Sequence, residues 1–342
     1  MKLTVKNIIQ ETADAISICF NNGGLFNKVN YKPGQFITLD FVINNKVHKR
    51  AYSFSSNPFT DKDLKITVKR VEKGLVSNYV HDYLKIGDKL EIEKPNGSFY
   101  LKPEKKQQNN YVFFAAGSGI TPLFSIINSV LKKEPKSNIV LVYANRDFDA
   151  IIFKKELEDL ESQYPDRLKV EYLISNNAPI KPNYHDGLIT DALVVDILDK
   201  NNLSFDQGEY MICGPFGFME AAKSILFVNG VSPSKIKEEL FKRPDVAVSA
   251  DDLVSKVEIQ LNGESHELEI ASNKSILQAA MAQNIAMPYS CRSGMCSSCK
   301  ASCVSGKITM TEGHFLEQKE VDAGKILTCI SYPASENVVI SI

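Results

Sequence analysis

Val112-Phe113-Phe114-Ala115-Ala116-Gly117-Ser118-Gly119-Ile120-Thr121-Pro122 is an apolar run that stops at two glycines and restarts as an amphipathic stretch. An unbroken apolar strand is one buried on both faces, as in a parallel sheet. Glycines between such a strand and a helix are the expected context of a dinucleotide phosphate turn. The full G-x-G-x-x-G fingerprint is not met, because Pro122 stands where the third glycine falls. Proline fits the first helical position without strain, so the helix start stays open to phosphate.

The same alternation extends along residues 105–243. Apolar runs Val112–Ala116, Ile139–Tyr143, Leu168–Ile174 and Tyr210–Cys213 alternate with amphipathic stretches Leu123–Leu131, Phe153–Tyr164, Leu188–Leu198 and Phe216–Val228. That pattern predicts a doubly wound α/β parallel sheet. Cys213-Gly214-Pro215 closes the last run at a carboxyl edge, where such sheets bind ligands; the plain alternative is a buried cysteine before a turn. Tyr143-Ala144-Asn145-Arg146-Asp147 ends the second run. An arginine there can pair with a 2′-phosphate and an acid can bond a 2′-hydroxyl, so the residues leave the choice of nucleotide open.

Upstream, residues 1–104 read as short strands: Leu3–Ile9, Ala15–Phe20, Gln35–Val42, His48–Ser55, Leu64–Val71 and Lys89–Glu93. Turn-forming Gly, Asn and Asp separate them, and only Val76–Leu84 reads as a helix, which predicts a sandwich or barrel. Arg50-Ala51-Tyr52-Ser53 ends one strand. As an isolated tetrapeptide it is common, and a surface arginine beside a core tyrosine would explain it. Its surroundings weigh the other way: Pro33-Gly34-Gln35-Phe36 precedes it, and Gly74-Leu75-Val76-Ser77, Gly87-Asp88 and Pro95-Asn96-Gly97-Ser98-Phe99 follow. Arg50 can neutralise phosphate, Tyr52 can stack on a flat ring, and Ser53 can hydrogen-bond a flavin's ring edge. Gly74–Ser77 bring N–H groups and a hydroxyl to a helix start, where the dipole favours pyrophosphate.

Downstream, Lys242–Ser255 is polar and contains Pro244, the best linker candidate, taken as 244–255. Val257–Leu261 and His266–Ile270 flank Asn262-Gly263, a hairpin signal, and a helix-like Ile276–Asn284 follows. Then comes Cys291-Arg292-Ser293-Gly294-Met295-Cys296-Ser297-Ser298-Cys299, with a fourth thiol at Cys329. C-x4-C-x2-C with a distant fourth cysteine is the ligand spacing of a plant-type [2Fe–2S] centre. Small polar residues let the loop's N–H groups turn toward sulfur and tune the potential. Structural zinc favours two C-x2-4-C knuckles, and Cys329 has no close partner in sequence. A bacterial four-iron run needs C-x2-C-x2-C-x3-C-P, which Cys291 and Val304 break. Cys303 and Cys19 read as small core hydrophobes, and His81, His185 and His314 as surface or loop histidines.

The bulk properties fit this. At 342 residues the chain has room for two or three domains. A hydrophobic content of 44% and a charged content of 24% are ordinary for a soluble globular protein. A net charge of -1 gives no footprint for nucleic acid. No apolar run approaches the roughly 18 to 20 residues of a membrane span, and the N-terminus lacks a signal peptide's apolar core. Seven cysteines without an export signal point to a reducing, cytoplasmic setting and to metal instead of disulfides. Residues 250–342 hold 7 Lys and Arg against 11 Asp and Glu, and residues 1–249 hold 33 against 30. That imbalance suits electrostatic docking but also fits chance scatter.

Taken in order, these motifs resemble the ferredoxin–NADP reductase superfamily with a fused C-terminal plant-type ferredoxin. The chain is most similar to reductase components of bacterial oxygenases, especially the phenylacetyl-CoA epoxidase reductase type. The resemblance covers essentially the whole chain. It implies an antiparallel β-barrel flavin domain over 1–104, a nucleotide domain over 105–243 and an α+β, β-grasp ferredoxin domain over 256–342. Arg50, Tyr52 and Ser53 would hold the flavin ring and phosphate, with Val68, Lys69, Gly74, Leu75, Val76 and Ser77 on the ribityl and pyrophosphate. Gly117, Ser118, Gly119, Thr121, Pro122, Asn145 and Arg146 would line the nucleotide site. Cys213 would lie near the nicotinamide with Gly214 and Pro215 shaping its turn, and Glu239 and Phe241 would close the flavin face. Ser53, Cys213 and Glu239 are thus the expected catalytic residues, and Cys291, Cys296, Cys299 and Cys329 the expected iron ligands. A sister group of phthalate dioxygenase reductase type binds FMN; the Gly74–Asn78 segment resembles the FAD branch. The implied function is an NAD(P)H-dependent reductase, leaning to NADPH, that serves a separate oxygenase or hydroxylase. A desaturase or haem monooxygenase is the alternative acceptor. An iron–sulfur sensor would not need the flavin and nucleotide motifs, and a noncatalytic carrier would lack NAD(P)H-dependent dye reduction.

Overall fold

The computed structural model of the chain describes residues 1–22, 28–176, 179, 181–241, 254–311 and 313–342. It divides into two compact units, Met1–Phe241 and Lys242–Ile342.

The first unit opens with strands β1 (Lys2–Thr12), β2 (Ala15–Asn21), β3 (Phe36–Ile43), β4 (Lys46–Ser53) and β5 (Asp63–Lys69), then helix α1 (Leu75–Tyr83) and β6 (Lys89–Ile92). The strands form an antiparallel sheet in the order β4-β3-β6-β1-β2-β5. A bridge between Phe54 and Ile66 joins the end of β4 to β5, so the two edge strands meet and the sheet curls into a barrel. Ile18, Phe20, Ile37, Leu39, Phe41 and Ile66 fill it, each fully or almost fully buried. Gly34 has φ +98 and passes so close to the Phe99 carbonyl that any side chain would clash, which explains the glycine in Pro33-Gly34-Gln35-Phe36.

The rest of this unit alternates β7 (Asn110–Ala116), α2 (Ile120–Lys133), β8 (Asn138–Asn145), α3 (Lys154–Gln163), β9 (Leu168–Ile174), β10 (Tyr184–Asp186), α4 (Asp191–Lys200), β11 (Gly208–Cys213), α5 (Phe216–Val228) and β12 (Ile236–Glu239). All pairings in the order β10-β9-β8-β7-β11-β12 are parallel. Apolar residues of α2 pack on one face of the sheet and those of α4 and α5 on the other. Connections leave β7 toward β8 but return to its other side at β11, which makes the carboxyl ends of β7 and β11 the switch point where such sheets bind ligands. The edge strands β10 and β12 escape the sequence reading because they are only 3 and 4 residues long and mostly polar. Ala15 and Phe99 of the barrel region are buried in the sheet's core, and so the two layers form one unit.

The second unit contains β13 (Val254–Leu261), β14 (Glu264–Ala271), α6 (Ile276–Ala282), β15 (Lys300–Ser305), β16 (Ile308–Met310), α7 (Gln318–Asp322), β17 (Lys325–Leu327), β18 (Ser331–Pro333) and β19 (Asn337–Ser341). A mixed sheet runs β14-β13-β19-β15-β17, with β16 and β18 as a separate pair. Asn262 (φ 53) and Gly263 (φ 87) both take positive φ in a two-residue hairpin, as a type I′ turn requires. Ser275 and Gln278 form a capping box at the start of α6. One boundary needs correction. Val254 and Ser255, assigned to the linker, begin β13, where Val254 pairs with Ala271 and Ser255 is buried, extending the period-2 burial of that strand. The rest of that segment, 244–253, lies outside the described residues.

Candidate functional site

Ser53 is the last residue of β4, and both it and Glu239, at the end of β12, are buried. The Ser53 Oγ donates to Glu239 Oε2 at 3.1 Å, across 186 residues of sequence. This bond ties the R-x-Y-S strand of the barrel to the carboxyl edge of the parallel sheet. Glu239 pairs in register with Cys213, the last residue of β11. Burial pushes the Cys213 thiol well above its ordinary range, and the Glu239 charge adds to this. Both effects favour the thiol of Cys213 over its more reactive thiolate. The glycine turn after β7 lies against this point. A Cβ on Gly119 would collide with the Cys213 carbonyl, and one on Gly214 would crowd Ala116.

Gly117 adopts φ +52, and a Cβ there would meet only Lys69 Nζ, at 4.0 Å. The turn thus faces open space bordered by an ammonium, which suits an anionic ligand. Two further groups support it. Asp14, in the β1–β2 connection, holds Lys69 Nζ at 3.4 Å. Buried Tyr143 donates its hydroxyl to the Gly117 carbonyl at 3.1 Å. Sequence reasoning misses both because neither carries a local signal; each depends on tertiary packing. Thr121 and Pro122 are buried in the first turn of α2, and Thr121 Oγ1 donates to the Ser118 carbonyl at 3.0 Å. Pro215 caps α5.

Of the remaining flavin-segment residues, Tyr52 is half-buried and meets Phe41 edge-on at 6.3 Å. Arg50 Nη1 donates to the Lys49 carbonyl at 2.7 Å. Val68 is buried, and its carbonyl oxygen accepts from His81 Nε2 at 3.0 Å; His81 therefore sits on α1 and not in a loop. Gly74 caps α1, whose first-turn N–H groups from Leu75, Val76 and Ser77 have no intrahelical acceptor. The Ser77 hydroxyl folds back locally, accepting from Val71 N at 3.1 Å and donating to the Gly74 carbonyl at 3.3 Å. It stabilises the turn, while the first-turn N–H groups remain for a ligand.

Asn145 is buried at the end of β8. Arg146 Nε and Asp147 Oδ2 lie 2.9 Å apart, and Asp147 Oδ1 also accepts from Ala150 N at 2.9 Å. The Arg146 hydrogen bond lowers the Asp147 carboxyl's pKa below the usual range. The arginine and acid that competed as nucleotide readers are thus partners in one pair. Phe241 is 41% exposed. His185 is on edge strand β10, 2.7 Å from Glu171 Oε2, and not in a loop. Cys19 and Cys303 are both half-buried and so lie at the margins of their cores.

In the second unit the four expected cysteines come together as two pairs. Cys296 Sγ lies 3.1 Å from Cys291 Sγ, and Cys299 Sγ lies 3.3 Å from Cys329 Sγ. Cys296, Cys299 and Cys329 are buried and Ser293 N donates to Cys291 Sγ at 3.5 Å. The hydrogen bond with Cys291 pushes Cys296 down to about 6, and the one with Cys329 likewise lowers Cys299. Two thiols per iron is the donor set of a two-iron cluster. Among the described residues no three His, Cys, Asp or Glu side chains converge as a mononuclear ion would require. Cys303 points elsewhere, toward the Ser305 carbonyl at 3.5 Å. Among the described residues no helix is long and apolar enough to cross a membrane.

The fold and the donor sets define a class: an NAD(P)H-dependent oxidoreductase that carries FAD and a [2Fe–2S] cluster. Family models agree segment by segment. An oxidoreductase FAD-binding domain matches residues 2–100, an oxidoreductase NAD-binding domain residues 113–224, and a 2Fe-2S iron-sulfur cluster binding domain residues 259–334. A component of 1,2-phenylacetyl-CoA epoxidase from Escherichia coli (strain K12) is 32% identical over 99% of this chain and 96% of its own length. The ferredoxin reductase component of 3-ketosteroid-9-alpha-monooxygenase from Rhodococcus rhodochrous is 34% identical over 99% of this chain and 95% of its own. The solved structure of phthalate dioxygenase reductase, at 23% identity, shares the fold with a TM-score of 0.66 over 100% of this chain and 98% of that one. The chain belongs to the family of oxygenase reductase components in which a ferredoxin–NADP reductase module is fused to a C-terminal plant-type ferredoxin.

Proposed function

We propose that the chain draws electrons from NAD(P)H at the barrel–sheet junction and delivers them singly, through the four-thiol loop, to a separate non-haem oxygenase. The relatives named as components of oxygenase systems support that choice of acceptor, with a phenylacetyl-CoA epoxidase-like hydroxylase first among them. The observation that carries the reading is the buried Ser53–Glu239 hydrogen bond, which ties the R-x-Y-S strand to the carboxyl edge of the parallel sheet, beside the end of β11. Bound FAD and the [2Fe–2S] cluster together supply the conversion of a two-electron donor into single-electron delivery.

The chain's own residues bind and orient. Arg50 and the first-turn N–H groups of α1 hold the flavin's phosphates, and Tyr52 gives its ring an aromatic wall. Ser53, hydrogen-bonded to Glu239, would bring its hydroxyl to the ring edge. Gly117 lets the nucleotide approach the backbone, with Lys69 beside its phosphates, while Gly119 lets the turn pack against the Cys213 carbonyl. Cys213 would lie near the nicotinamide without adding charge, and Phe241 would help close the flavin face. Cys291 with Cys296, and Cys299 with Cys329, would hold the irons of the cluster.

The preference for NADPH rests on Arg146. Asp147 is fixed by Ala150 N, so Arg146 can swing toward a 2′-phosphate while the carboxylate stays in place. Tyr52→Ala combined with Ser53→Ala tests the flavin assignment: flavin content or its rate of reduction should fall. A double variant with full flavin content and normal reduction by NAD(P)H would contradict it.

A further inference from the structure

One buried contact plays no part in the site described above. On α2, Ser125 is fully buried and its Oγ donates to the carbonyl of Ser56, also buried, at 2.6 Å. One turn further on, Ser129 Oγ lies 3.4 Å from Asn57 Oδ1 while donating to the Ser125 carbonyl at 2.7 Å. Lys65 of β5 adds a looser contact, its ammonium 5.4 Å and 5.0 Å from the ring centres of Phe124 and Phe153. The positions of the two serines in the chain give the seam its meaning. Ser56 is three residues past Ser53, on the segment that leaves the R-x-Y-S strand. Ser125 is four residues past Thr121, about one helical turn or roughly 6 Å further along α2. Barrel and sheet are thus fastened on two sides of the site, by Ser53–Glu239 and by Ser125–Ser56.

We infer that Ser125 is a positioning residue, whose hydrogen bond to the Ser56 carbonyl sets the approach of the nicotinamide segment to the flavin segment. The inference rests on the assignment of Arg50–Ser53 and Gly117–Thr121 to those two ligands. Hydride transfer needs its reacting atoms near contact distance, and a displacement on the order of 1 Å costs up to about a hundredfold in rate. With Ser53–Glu239 and the shared core of Ala15 and Phe99 in place, losing this bond moves the segments less than that. Its loss leaves no orphaned acceptor, because the Ser56 carbonyl also accepts a hydrogen bond from Tyr31 Oη at 3.0 Å.

The experiment compares Ser125→Ala and Ser125→Thr with the wild-type full-length holoprotein. Ser125→Ala should keep one FAD per chain and bind NADP⁺ within about twofold of wild type, yet reduce its flavin roughly tenfold more slowly at saturating NADPH or NADH. Ser125→Thr, which retains a hydroxyl, should recover most of the rate. In flavin-free protein, amide exchange at residues 56–57 and 121–125 should quicken in the alanine variant alone. A full reduction rate in Ser125→Ala would overturn the inference. So would a slow rate that tracks loss of flavin or nucleotide affinity, or one that threonine fails to restore. A wild type whose flavin is not reduced by NAD(P)H would instead overturn the underlying ligand assignment, and the exchange rates would still decide whether the hydroxyl joins the two segments.

Discussion

At the scale of single residues, Gly119 and Arg146 separate steric from electrostatic demands. Gly119 has no room for a Cβ, which would collide with the Cys213 carbonyl, whereas Gly217 has open space around it. Gly119→Ala should destabilise the chain by about 1–3 kcal/mol, as overpacking does, and weaken nucleotide binding. Gly217→Ala should leave the melting temperature and nucleotide affinity near wild type. Thermal unfolding with a nucleotide titration measures both, and equal behaviour of the two variants would rule out the close approach at Gly119. Arg146 is exposed and, among the described residues, paired with its neighbour, so its loss should matter through the ligand and not through the fold. Arg146→Ala should raise the KM for NADPH by roughly tenfold and leave that for NADH nearly unchanged. Equal effects on both nucleotides would show that Arg146 does not reach the adenosine ribose. If Asp147 is the reader, NADH is preferred in the wild type and Asp147→Ala erodes that preference.

At the scale of elements, the cysteine loop makes the sharpest prediction. Cys296→Ala should abolish the cluster, measured as iron and acid-labile sulfide, while Cys303→Ala, whose thiol points away at the Ser305 carbonyl, should keep it. Loss of iron from the Cys303 variant would mean that the ligand set includes the wrong thiol. What could be read from the sequence follows the range of the interactions involved. The four cysteines that come together in two pairs were legible as a group because the spacing is local for three of them. The long buried strands Val112–Ala116 and Leu168–Ile174 were legible because burial on both faces leaves an unbroken apolar run. The edge strands β10 and β12 were not, since an edge strand needs only a neighbour's free backbone and imposes little side-chain pattern. The start of β13 was hidden because Val254-Ser255-Lys256 alternates for too few residues to stand out from a polar segment. Asp14, Tyr143 and Ser125 act through partners 55, 26 and 69 residues away, and no local pattern announces such contacts.

At the scale of the whole molecule, one chain carries FAD-binding, NAD-binding and 2Fe-2S domains, and the proposed order of electron flow between them is open to direct measurement. Within Met1–Phe241, the barrel and sheet share a core, so nucleotide-driven flavin reduction should persist in Cys296→Ala, which lacks the cluster. The measurement that bears most directly on the central claim is an anaerobic titration of the purified holoprotein with NAD(P)H, following flavin and cluster absorbance together. FAD takes two electrons and a [2Fe–2S] cluster one, so the wild type should accept about three electrons per chain, and Cys296→Ala about two. A wild-type end point of two, with the cluster still oxidised at full flavin bleaching, would contradict the account, as would a flavin that NAD(P)H leaves oxidised.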